Sequence, residues 1–171
     1  IQFNENLTIS DIELVESFWK SENNTETSKS GYEMIPLTSE YFSPHFDKIA
    51  YYFEVYNSAN EFGADGKYVL QHFIESYEKG IVAGTFNKLS KESAGAVNPT
   101  LNVFNIETLP TGNYNLVVQI KNKNNELVEE KKLRFQRLNL FNDINPENLK
   151  DVALEGKFTE RMDLDSLDEF I

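Results

Sequence analysis

The chain has 171 residues, 40% of them hydrophobic and 26% charged, which is the composition of a folded domain able to bury a core and not of a disordered segment. A net charge of −12 argues against a nucleic-acid partner, because phosphate binding needs a basic surface. With no cysteine there is no disulfide or thiol chemistry, and no apolar run approaches the roughly 18 residues that a membrane span requires.

The first residue is Ile1, with neither Met nor a signal peptide, which reads as a processed form or a fragment. Residues 8–19 read as a strand, with Ile12 and Leu14 on one parity and Val15 on the other. Residues 21–30 are polar and without period, hence a loop, and 31–37 form a short strand that Pro36 places at an edge or ends. Residues 41–46 read as a loop around Pro44. The segment 47–58 is a clear strand. Ile49, Tyr51, Phe53 and Val55 face one way, and Ala50, Tyr52, Glu54 and Tyr56 face the other.

A turn with two glycines, 60–66, leads into 67–77, which is apolar on both parities and so reads as a strand covered on both faces. Strands follow at 81–89 and 100–107. Leu109-Pro110-Thr111-Gly112 then breaks the chain just before Tyr114. A Tyr placed after such a corner at the start of a strand matches the tyrosine corner of immunoglobulin-like sandwiches. Residues 113–122 alternate through Tyr114, Leu116, Val118 and Ile120, Asn124 and Asn125 supply turn chemistry, and 127–137 return as the second strand of a hairpin.

Counted from Gly31 there are seven strands, at 31–37, 47–58, 67–77, 81–89, 100–107, 113–122 and 127–137. Their number and spacing predict an all-β, immunoglobulin- or fibronectin-III-like β-sandwich over 30–141. Residues 1–29 are then an N-terminal strand and linker, either an extra edge strand or the end of an upstream domain. Beyond Asn139 the signals change: Asn145, Pro146 and Glu147 start a short helix over 146–155 that Gly156 can cap. Residues 142–171 therefore read as a helical extension toward a downstream domain.

Several phrases occur in order: Ser10-Asp11-Ile12, Ser30-Gly31-Tyr32 with Ile35-Pro36, Tyr52-Phe53-Glu54-Val55-Tyr56-Asn57, Leu109-Pro110-x-Gly112-x-Tyr114, and Phe135-x-Arg137-x-Asn139. Together they resemble the β-sandwich region of the GWxTD domain-containing proteins of Bacteroidetes-type bacteria, over residues 8–140. That resemblance implies an exported protein, periplasmic or at the cell surface, whose family has no assigned reaction. The Gly-Trp-x-Thr-Asp motif itself is absent, and Trp19 is the single Trp.

No catalytic constellation stands out. His45 and His72 are isolated, with no metal-ligand spacing around them, and neither a P-loop nor a GxSxG occurs. Gly63-Ala64-Asp65-Gly66 is a turn before it is a phosphate cradle. The acidic run 163–169 lacks the central Gly of a calcium loop and starts a helix more readily. Lys131, Lys132, Arg134 and Arg137 stand beside Glu129 and Glu130, as on a solvated strand. Two sequons, at 6–8 and 23–25, are what an Asn-rich chain gives by chance.

Tyr52 and Tyr56 flanking Glu54 remain as a candidate ligand or partner face. Outward tyrosines can stack sugar rings or grip a protein, and they can equally be covered by a neighbouring element. The sequence therefore predicts a non-catalytic structural or protein-interaction module with no cofactor. The alternative is a carbohydrate-binding module that uses these tyrosines, with or without Trp19.

Overall fold

The alternating segments form ten strands and one short helix in the computed structural model of the protein, which describes residues 5–21, 29 and 31–140. In chain order they are β1 (Thr8–Ile9), β2 (Glu13–Lys20), β3 (Tyr32–Pro36), β4 (Tyr41–Phe42), β5 (Lys48–Tyr56), α1 (Ser58–Phe62), β6 (Lys67–Ser76), β7 (Val82–Ser93), β8 (Val97–Asn105), β9 (Gly112–Lys121) and β10 (Leu127–Arg137). One sheet is built on β5. β1 and then β2 pair along one edge of it, β8 pairs along the other from Lys48↔Asn105 to Tyr56↔Val97, and β3 joins β2. The second sheet runs β4-β10-β9-β6-β7, antiparallel except for β4 beside β10. These two sheets make the all-β sandwich that the strand pattern predicts.

Burial follows the expected parity in the two most regular strands. Ile49, Tyr51, Phe53 and Val55 from one sheet and Leu116, Val118 and Ile120 from the other are fully buried in one cluster. Each such side chain contributes roughly 1.5–3 kcal/mol by leaving water. β6 is covered on both faces in its second half: Ile74 points into the core, while Phe73 and Glu75 are buried on the outer side.

The corner is also as expected. Tyr114 is buried, and its hydroxyl donates to the Pro110 carbonyl at 3.0 Å. A Cβ on Gly112 would lie 3.2 Å from the Tyr114 ring, so the residue must be small for the ring to fold back over it. Asn139 pins the same corner. Its side-chain amide donates to the Glu107 and Leu109 carbonyls at 2.7 and 2.9 Å, and its backbone N–H donates to Thr111 Oγ1 at 2.8 Å. The Arg137 guanidinium donates to the carbonyls of Ser43 and Phe46, both at 2.7 Å, and ties down the chain after β4.

Of the two readings of the N-terminal strand, the described residues follow the first, an added strand of the sandwich: Thr8–Ile9 and Glu13–Val15 pair with β5. Two expectations need correction. Residues 41–46 are not all loop, because Tyr41 and Phe42 pair in parallel with Gln136 and Arg137. The strand of 47–58 stops at Tyr56, since Asn57 takes a left-handed conformation (φ 59°) and Ser58 starts α1. Ser58 is buried, and its hydroxyl accepts from Gly95 N–H at 2.9 Å while facing Asn98 Oδ1, also at 2.9 Å. The helix expected over 146–155, the rest of the extension 142–171 and the sequon at 23–25 lie outside the described residues.

Candidate functional site

Tyr52, Glu54 and Tyr56 lie together on the outer side of β5, as their parity requires, but they do not form an exposed row. Tyr52 is only 4% exposed. Lys29 reaches back to Glu13, at 2.5 Å, and its ammonium lies 5.5 Å from the centre of the Tyr52 ring. Lys29 thus lies over this face. Both hydroxyls donate to the Glu54 carboxylate, Tyr52 to Oε1 and Tyr56 to Oε2. That hydrogen bond is the main reason the Tyr56 hydroxyl is held above its ordinary pKa. The Glu54 N–H is taken as well, by Ser10 Oγ at 2.9 Å. The expectation of outward tyrosines is therefore corrected at Tyr52, which offers no open ring face for stacking a sugar.

Exposed aromatics lie elsewhere, on the β2–β3 pair. β2 leaves β5 after Val15, where the register with β3 shifts between Val15 and Ser17. Past that bulge β2 has β3 as its strand partner, and both faces of the ribbon carry large apolar groups. Phe18, Met34 and Tyr32 share one face, with Phe18 and Tyr32 packed edge to face at 6.3 Å. Trp19 and Ile35 share the other. Phe18 is 39% exposed, Trp19 51%, Tyr32 39% and Ile35 44%. A folded domain gains nothing from showing water this much apolar surface on paired strands, and such patches mark contact sites.

A cavity of about 510 Å³ opens where β2 parts from β5. Val15, Phe18, Leu37, Phe42, Phe46 and Ala50 line it, together with the charged Glu16, Asp47 and Lys48. Phe18 belongs to both features, so ribbon and cavity form one apolar surface. Trp19 was visible in the sequence, but its neighbours on the ribbon were not. The strand read over 8–19, with Ile12 and Leu14 on one parity and Val15 on the other, does not reveal them, and that break in alternation at Val15 is the one local signal of the bulge.

The other candidates separate. His45 is exposed on the turn after β4. His72 is buried in the core, and burial, followed by the charge of Lys88, pushes its pKa down to about 4. The basic run is dispersed: Lys131 pairs with Asp11 at 2.6 Å, Lys132 with Glu75 at 2.9 Å, Arg134 lies over the Tyr77 ring at 4.1 Å, and Arg137 is buried. Among the described residues no three His, Asp or Glu side chains converge as a metal site would need, and no helix is long and apolar enough to cross a membrane.

No family model matches the chain, and no curated protein does. Among solved structures it is similar to the extracellular domain of a protein described as a hybrid two component system of B. thetaiotaomicron, at 12% identity and a TM-score of 0.34 over 77% of this chain. It is also similar to a beta-glucosidase from Kluyveromyces marxianus, at 15% identity and a TM-score of 0.31 over 74% of this chain. In each case the match covers 15% of the longer protein.

Proposed function

We propose that this chain is a non-catalytic β-sandwich module of an exported bacterial protein and that it makes protein contacts through the β2–β3 ribbon. The observation that carries the reading is the exposure of Phe18, Trp19, Tyr32 and Ile35 on two paired strands that stand outside the core. Aromatic anchors surrounded by polar groups are the usual energetic centre of a protein interface. The adjoining cavity can receive one apolar side chain of the partner surface. The exported setting rests on the resemblance stated above. Carbohydrate binding at Tyr52 and Tyr56 is not carried forward, because Tyr52 is covered and the Glu54 oxygens are taken.

The test is a photo-crosslinking residue placed at position 19 of the full chain in the cells that make it, with position 123 on the β9–β10 turn as the control. The reading predicts a discrete protein adduct from position 19 and none from 123. Equal labelling at both positions, or adducts at neither, would overturn it.

A further inference from the structure

The side of the sandwich where β7 and β8 face each other carries polar groups beside the Phe86–Phe104 contact. β7 is an edge of one sheet and β8 an edge of the other. Lys88, Ser90 and Glu92 alternate on β7 opposite His72, Leu70 and Tyr68 of β6. Thr100 and Asn102 do the same on β8, opposite Phe53 and Tyr51 of β5. Between them lies a cavity of about 390 Å³, lined by the polar His72, Lys88, Ser90, Glu92, Thr100 and Asn102 and by Leu70 and Leu89.

Its polar groups have a definite sense. The Tyr51 hydroxyl is 2.7 Å from His72 Nδ1. Burial raises the Tyr51 pKa, so the hydroxyl keeps its proton. Donation to Nδ1 satisfies that buried proton, and the neutral imidazole then carries its own on Nε2 as a donor. Lys88 Nζ donates to Asn102 Oδ1 at 2.6 Å and to the Val103 carbonyl at 2.7 Å, and it sits 5.0 Å from the centre of the Phe104 ring. One of its three N–H groups is left over. No carboxylate among the described residues stands within ion-pair distance of it. A half-buried ammonium met only by dipoles is a charge that a carboxylate would complete.

We infer that the cleft between β7 and β8 binds a carboxylate group, with Lys88 Nζ and His72 Nε2 as its principal donors and the Ser90 and Thr100 hydroxyls beside them. The carboxylate can belong to a free small molecule or to an acidic side chain of a bound protein. The competing explanation is that inward-pointing polar residues merely keep two sheet edges from pairing with other chains. That role needs no ligand.

The experiment follows the His72 ring and Lys88 side-chain NMR signals of the full chain at neutral pH, titrated with sodium acetate against sodium chloride at equal ionic strength. A capped Gly-Glu-Gly peptide is the second probe. The inference predicts saturable shifts at both residues with acetate and none with chloride, lost in Lys88→Met. If Lys88→Met does not fold, the Ser90→Ala/Thr100→Val variant should weaken acetate binding by several-fold. Tighter binding of the peptide than of acetate would identify a protein side chain as the ligand, and equal binding a small molecule. Shifts that do not saturate, or that match those in chloride, would overturn the inference.

Discussion

Gly112→Ala tests the corner on which β9 is hung. The new Cβ would stand 3.2 Å from Cε2, Cζ and the hydroxyl of Tyr114. That ring cannot easily yield: it is buried, stacked on Phe135 at 5.7 Å and held by its bond to Pro110. Overpacking of this kind costs roughly 1–3 kcal/mol. The gain from replacing Gly where φ is not positive offsets roughly 0.4–1 kcal/mol, through the unfolded chain. The informative quantity is therefore the coupling between Gly112→Ala and Tyr114→Leu, from which the unfolded-state term cancels. Urea unfolding of the two single variants and the double variant should give a coupling of about 1–3 kcal/mol, because the added methyl meets no ring in the Leu background. At roughly 2–4 °C per kcal/mol for a chain of this size, the ring-specific part should also be visible in thermal melts. An equal effect of Gly112→Ala in both backgrounds would refute the reasoning.

Two further predictions concern the interior. His72 has a folded-state pKa of about 4 against an ordinary 6.5, so folding favours the neutral ring. The stability this gives is complete above pH 6.5 and is lost as the pH falls from there through 4, a swing on the order of 3 kcal/mol. His72→Gln should flatten that part of the pH–stability curve in urea titrations, and an unchanged slope would contradict the assignment. Phe53 is fully buried, so Phe53→Ala should cost on the order of 3–5 kcal/mol by the same assay; a loss under about 1 kcal/mol would mean the core lies elsewhere.

Strict alternation in β5 and β9 was legible because each has one face on the core, and the period of two then fixes every side chain's direction. The corner was legible because Pro110, Gly112 and Tyr114 each do a separate local task. The phrase Phe135-x-Arg137-x-Asn139 was visible as a pattern, but its meaning was not. Arg137 and Asn139 are buried and bond carbonyls of residues 43, 46, 107 and 109, contacts that only the folded topology brings together. The covering of Tyr52 by Lys29 is of the same long-range kind. The parallel pairing of β4 escaped because it involves two residues, too few to show a period. The aromatic ribbon escaped because a bulge at Val15 breaks the alternation that would have revealed it.

Everything proposed about contacts depends on the ribbon standing open to water, and the chain carries its own reporter there. Trp19 is the single Trp and is 51% exposed. Acrylamide quenching of its fluorescence in dilute purified protein should give a linear plot with a constant of the same order as that of a free indole, lowered by the half of the ring that the strand shields, and red-shifted emission. A constant several-fold smaller, with blue-shifted emission, would show Trp19 buried and contradict the account.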